Sequence, residues 1–127
     1  MIVFSPSSLS DQRMSTIPFK QTTHGGFAEV TGLLRIEERA LCVDFEISDA
    51  ITGILKSPIK VVIPKAQIAD VDYSKGFIGG KICIRVRELD VLRQIPWRDG
   101  AEFQVGVRRR DRAEAQQFAE ELAWFAE

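Results

Sequence analysis

The C-terminal segment at 108–127 is the only stretch of the sequence with a clear helical period. Its apolar residues recur at steps of three and four, so they fall on one face of a helix. These residues are Ala115, Phe118, Ala119, Leu122 and Phe125. Asp111 is a suitable N-cap with Glu114 in capping-box spacing, and we predict a helix over 111–126. Because a lone amphipathic helix is not stable, the rest of the chain must supply a surface that receives this face.

Upstream of the helix, apolar and polar residues alternate almost without interruption, as they do in half-buried strands. The alternation predicts seven strands, at 28–36, 41–47, 59–63, 68–73, 82–86, 91–95 and 103–107. The phase of the fourth strand slips near Asp70, which indicates a β-bulge. Pro64 and Pro96 end the third and sixth strands, because proline has no N–H to donate to a ladder.

Residues 1–25 mix small polar residues with isolated apolar ones, and no period can be counted in them. We interpret them as an N-terminal arm or surface wrap, in which Ile17, Pro18 and Phe19 could dock on the domain. The folded domain is then expected to span 26–127. A chain of 127 residues without an internal repeat is the length of one domain.

The composition is that of an ordinary globular protein, with 45% apolar residues, 28% charged residues and a net charge of -1. Between residues 75 and 112, ten Lys and Arg stand against five Asp and Glu. This is a modest dipole and not a nucleic-acid-binding composition, so we expect no nucleic acid partner. There is no signal-peptide pattern and no apolar run of about 18 residues. Since Cys42 and Cys83 belong to no paired motif, we read them as free thiols and expect a cytoplasmic protein.

The order of seven short strands followed by one amphipathic helix resembles that of the pleckstrin-homology-like (PH-like) barrel, and the chain is similar to a bacterial PH-like or GRAM-like domain. Phe118 and Leu122 have the four-residue spacing of the aromatic residue and leucine common in the closing helix of that superfamily. The resemblance implies a mainly β fold, a barrel of seven antiparallel strands in two near-orthogonal sheets capped by the C-terminal helix. PH domains that bind phosphoinositides carry a basic cluster on the first two strands and their turn. Here Glu37 and Glu38 occupy that turn, which argues against the usual lipid pocket.

The sequence contains no hydrolase, phosphate-loop, zinc or dinucleotide motif, and we expect no enzyme activity, cofactor or metal. His24, the single histidine, has no identifiable catalytic partner and fits a solvated arm residue. Asp70 and Asp72 fit cross-strand pairing with Arg or Lys better than a cation site. Cys42 and Cys83 have no neighbouring histidine, which favours outward or half-buried thiols over nucleophiles.

Two apolar loops, at 51–55 and 76–80, are the stronger functional lead. In a meander, the connections after the second and fourth strands emerge at the same end of the sheet. Their large apolar residues are Ile51, Ile54, Leu55, Phe77 and Ile78, and the lysines near them are Lys56, Lys60, Lys75 and Lys81. If these loops are exposed together, they form a patch that marks an interface. If they fold inward, they cover the end of the barrel.

The leading hypothesis from the sequence is a non-catalytic PH-like interaction module that binds a protein partner or itself through these loops. The alternative is a peripheral membrane or anionic-ligand binding module. In that case Phe77 and Ile78 insert, while the lysines and the arginine run at 108–112 engage phosphates. The arginine run is informative because basic residues at a helix N-terminus oppose the helix dipole.

Overall fold

The computed structural model describes residues 15–23, 28–49 and 58–126. Within these ranges, seven strands are followed by one α-helix. The elements are β1 (Thr16–Thr23), β2 (Ala28–Glu37), β3 (Ala40–Asp49), β4 (Ile59–Pro64), β5 (Ile68–Lys75), β6 (Gly80–Val86), β7 (Glu102–Val107) and α1 (Arg112–Ala126). The strands form one antiparallel sheet in the order β4-β3-β2-β1-β7-β6-β5, which is not closed. The mainly β class and the C-terminal helix predicted from the sequence are confirmed.

The segment that the sequence predicts to be an arm or surface wrap contains the strand β1, so the structure corrects this prediction. It is an inner strand, paired with β2 along its whole length and with β7 at Lys20↔Gly106. Ile17 and Phe19 are buried in the core, whereas the residues that alternate with them, Pro18 and Lys20, are exposed. The alternation is therefore present, but it is short, and a proline within it argues against a central strand.

The predicted sixth strand at 91–95 is wrong, because this segment is a 3-10 helix at Leu89–Leu92 followed by turns. Leu92 and Ile95 are both fully buried, and Arg93 between them is exposed. Their spacing of three matches one 3-10 turn and not the two-residue period of a strand. The strand count of seven is reached because β1 takes the place of this segment.

The connection between β6 and β7 also places an aromatic side chain against the sheet. The ring of Trp97 packs at centroid distances of 5.0 to 6.4 Å against Phe19, Phe45 and Phe103. Its indole N–H donates a hydrogen bond of 2.8 Å to the carbonyl of Gln104. The 89–97 segment is thereby packed into the core and fixed to β7.

The remaining strand predictions agree closely with the structure. Apolar residues that alternate along β2, β3, β6 and β7 are buried, and the register of β5 on β6 shifts between Ile68 and Asp70. The bulge predicted near Asp70 is confirmed. Cys42, which we expected to be outward or half-buried, is 1% exposed. It lies opposite Arg35, whose guanidinium group forms ion pairs with Glu37 and Asp44.

The helix α1 packs mainly against the edge strand β5, with smaller contacts to β1 and β6. Its buried residues are Ala115, Phe118, Ala119 and Leu122, and Phe125 is half-buried. This is the face predicted from the helical period. The core lies between this face and the inner side of the sheet, and the preceding 3-10 turn at Arg109–Asp111 connects β7 to the helix.

Candidate functional site

The hairpin between β5 and β6 exposes two large apolar side chains at its tip. Phe77 is 96% exposed and Ile78 is 78% exposed. The turn is closed by a 2.7 Å hydrogen bond from the backbone N–H of Gly76 to the carbonyl of Gly79. Neither side chain folds inward over the core. The apolar residues of the 76–80 loop are therefore exposed, whereas the joint patch with the 51–55 loop stays a prediction.

The hairpin tip is held against the junction of β7 and α1. The Arg112 guanidinium group donates a 3.2 Å hydrogen bond to the carbonyl of Gly76, and the Tyr73 hydroxyl donates one of 3.4 Å to the carbonyl of Arg112. Gly79 approaches the backbone so closely that an added Cβ would lie 2.3 Å from the carbonyl oxygen of Val107. The direction in which the tip projects is therefore set by contacts with two other elements.

Basic side chains share a groove with this apolar tip. The tip forms one wall of an open groove of about 730 Å³. Its lining comprises Ser74, Gly76, Phe77, Ile78, Gly79, Gly80, Lys81, Val107, Arg108 and Arg109. Lys75, Lys81, Arg108 and Arg109 are all exposed, and none of them forms an ion pair with another residue that the structure describes. Within the described part of the chain, no ion pair therefore neutralises the positive charge of these four side chains.

The sheet extends this basic surface from β6 to β1. Gly106 of β7 is the cross-strand partner of Lys81 on one side and of Lys20 on the other. An added Cβ at Gly106 would lie 2.8 Å from the carbonyl oxygen of Lys20, so the missing side chain lets β1 approach β7. Side chains two residues apart share a face of a strand, and Arg108 follows Gly106 at that spacing. Lys20 of β1, Lys81 of β6 and Arg108, the residue that follows β7, thus contribute cations to this part of the surface.

The candidate residues at 51–55, together with Lys56, lie outside the described residues, as does His24. The predicted meeting of the two apolar loops therefore stays a prediction. In the observed sheet order, β3 and β5 are separated by four other strands, so strand pairing does not bring the ends of these two strands together. Phe77, Ile78, Lys75 and Lys81 are described, and all four are exposed.

The arginine run and the apolar tip, which are about 30 residues apart in sequence, meet because β6 and β7 are paired with Gly80 opposite Val107. The membrane alternative requires the two to act together, but the sequence alone offers no spatial reason for their proximity. The register of the β5-β6-β7 meander supplies one. Lys20 was missed because residues 1–25 were not read as containing a strand.

The two cysteines and the acidic pair do not form a chemically activated site. Burial and the hydrogen bond with Glu37 raise the pKa of the Cys42 thiol, and burial and the nearby Glu102 raise that of Cys83. A raised thiol pKa reduces the fraction of reactive thiolate. Asp70 lies opposite Arg85, and Asp72 opposite Cys83. Within residues 15–23, 28–49 and 58–126, no cluster of three or more His, Cys, Asp or Glu side chains could hold a metal ion.

Comparisons with protein-family models, curated proteins and solved structures find no significant match to this chain. Among the described residues, no helix is both long enough and apolar enough to cross a membrane.

Proposed function

We propose that this protein is a non-catalytic, PH-like module that binds the surface of anionic membranes through the β5–β6 hairpin tip and the basic residues around it. The observation that carries the proposal is that two exposed apolar side chains, Phe77 and Ile78, share a groove with exposed cations that lack ion pairs among the described residues. These cations are Lys81, Arg108 and Arg109. Peripheral membrane proteins combine these two features, because apolar residues enter the acyl boundary while basic residues contact anionic headgroups.

The apolar contribution comes from the tip itself. Fully burying a phenylalanine or isoleucine side chain contributes about 1.5–3 kcal/mol each. Phe77 and Ile78 are adjacent at a turn and are almost completely accessible in the described structure. A flat surface such as a membrane could therefore bury both without any rearrangement of the core.

The electrostatic contribution comes from Lys75, Lys81, Arg108 and Arg109. A Lys or Arg near an anionic leaflet contributes about 1 kcal/mol. Because Lys81, Arg108 and Arg109 line the same groove as Phe77, they would reach the headgroup layer in the orientation in which Phe77 inserts, and Lys75 lies next to the tip in sequence. The apolar and electrostatic terms then act together.

The PH-like assignment within this proposal is supported by the element order. Seven antiparallel strands are followed by one helix that packs on an edge strand, with Phe118 and Leu122 buried four residues apart. The PH-like barrel divides such strands into two near-orthogonal sheets and closes their open corner with the helix. The proposed membrane surface involves the β5–β6 hairpin. Because β1 is the first strand, Glu37 and Glu38 lie between the second and third strands and not in the turn between the first two, which corrects the position we expected for them.

The test is co-sedimentation of the purified protein with phosphatidylcholine vesicles and with vesicles that also contain phosphatidylserine. We expect binding to the anionic vesicles alone, and a loss of about tenfold or more in the Phe77→Asp variant. Leu89→Asp is the matched control, because Leu89 is an exposed apolar residue outside the groove. Equal binding by the wild type and Phe77→Asp would overturn the proposal.

Binding to a protein partner, or self-association through the same tip, is the other outcome that this design separates. It is indicated if the wild type binds neither kind of vesicle and light scattering shows an assembly that Phe77→Asp dissociates. The same apolar tip would then bury itself in a protein surface.

A further inference from the structure

A second basic groove lies beside the hairpin tip, between β1 and the segment that joins β7 to α1. Its volume is about 310 Å³, which is at the lower end of the range for small-ligand sites. Its lining comprises Pro18, Phe19, Lys20, Thr31, Gly32, Arg108, Arg110 and Asp111. Arg108 lines both this groove and the groove at the tip, so the two grooves are adjacent.

The groove exists because the pairing of β1 with β7 is confined to Lys20↔Gly106. Pro18 has no N–H to donate to a ladder, and the 3-10 turn at Arg109–Asp111 takes the chain away from the sheet immediately after β7. Thr31 and Gly32 of β2, the cross-strand partners of Lys20 and Phe19, also line the groove.

The charges of the groove favour a small anion. Lys20, Arg108 and Arg110 are exposed cations, and Asp111 is the carboxylate among the lining residues. Glu29 lies 4.0 Å from the Lys20 amine, at the limit of an ion pair. Neither Arg108 nor Arg110 forms an ion pair with a described residue. Arginine can bind two oxygens of one phosphate group, and the Thr31 hydroxyl could donate to a third.

We infer that this groove binds the phosphate monoester headgroup of an anionic lipid. The inference rests on the proposed function, because the tip beside the groove would hold the protein at the depth where headgroups lie. A phosphate monoester carries close to two negative charges near neutral pH, with three strong acceptor oxygens. It suits three cations around one small groove better than a phosphodiester headgroup, which has a single charge and fewer free oxygens.

The experiment compares vesicles containing phosphatidic acid, a phosphate monoester, with phosphatidylserine vesicles adjusted to the same surface potential. We expect the wild type to bind phosphatidic acid about fivefold or more tightly than phosphatidylserine, and Lys20→Ala/Arg110→Ala to lose that preference. The matched control is Arg39→Ala/Arg93→Ala, which removes two exposed cations away from the groove and should keep the preference.

The outcomes separate this inference from the proposed function. Equal binding of the wild type to both lipids, or an unchanged preference in Lys20→Ala/Arg110→Ala, would overturn the headgroup site and leave membrane binding in place. Binding to neither lipid would overturn both. In parallel, titration with glycerol 3-phosphate should shift the amide resonances of Lys20, Thr31 and Arg110 in a saturable manner. If that happens without vesicle binding, the lipid headgroup is rejected and the groove is a site for soluble phosphate monoesters.

Discussion

At the scale of single residues, Gly79 determines how the exposed tip is joined to the fold. Its Cα faces the carbonyl oxygen of Val107 at a distance that leaves no space for a side chain. Arg112 donates a hydrogen bond to Gly76 of the tip, and Tyr73 donates one to the carbonyl of Arg112. The sequence shows a glycine-rich hairpin at 76–80, but it does not show which glycine is required, because that depends on how closely β7 approaches.

We expect Gly79→Ala to lower the free energy of unfolding by about 1–3 kcal/mol, because the new methyl group would collide with backbone atoms that cannot turn away. Urea denaturation measures the difference. Gly76→Ala is the control, since its Cβ would lie 3.2 Å from the nearest atom, the carbonyl oxygen of Gly79. Equal losses in the two variants would show that the close approach to Val107 is not a special constraint.

At the scale of elements, the sequence predicts secondary structure correctly wherever a single hydrophobic period runs through a segment. The buried face of α1 and the strands β2, β3, β6 and β7 follow directly from periods of 3.6 and two residues. β1 was missed because Pro18 interrupts a short alternation. The 91–95 segment was misread as a strand. Its buried residues, Leu92 and Ile95, have a spacing of three, and five residues are too few to distinguish this spacing from the two-residue period of a strand.

The helix offers a direct comparison of two aromatic residues. Phe118 is 2% exposed in the core, whereas Trp124 on the opposite side is 79% exposed. We expect Phe118→Ala to lower the free energy of unfolding by about 3–5 kcal/mol, because it leaves a cavity between α1 and the sheet. Trp124→Ala should change it by no more than about 0.5 kcal/mol. Thermal and urea unfolding of both variants test this, and similar losses in the two would contradict the packing described for α1.

At the scale of the whole molecule, the candidate site depends on how distant segments are joined by the sheet. Composition reveals that cations are concentrated between residues 75 and 112, but not that Lys20 joins them. That position follows from the order β2-β1-β7-β6, which no local pattern specifies. Exposed apolar loop residues could be proposed from the sequence, whereas their proximity to the arginine run required the register of β6 on β7.

The distribution of charge predicts a strong effect of salt on membrane binding. Raising the salt concentration from about 0.1 M to 1 M shortens the screening length from about 10 Å to 3 Å. We expect wild-type binding to phosphatidylserine vesicles to weaken steeply over this range in a sedimentation assay. The binding of the Phe77→Asp variant should also weaken as the salt concentration rises, but from a lower affinity at low salt. Binding that does not respond to salt would contradict a role for Lys75, Lys81, Arg108 and Arg109.

The position of β1 between β2 and β7 also has a consequence for how the chain reaches its native state. β1 to β4 can pair in order as they are synthesised, and so can β5 to β7, since each of these strands neighbours the next in sequence. The two groups are joined in the sheet at Lys20↔Gly106, across most of the length of the chain. Closing so long a loop is slow compared with forming hairpins. The last step of folding should therefore be the docking of two preformed meanders. Until β7 leaves the ribosome, the free edge of β1 is open to pairing with other nascent chains.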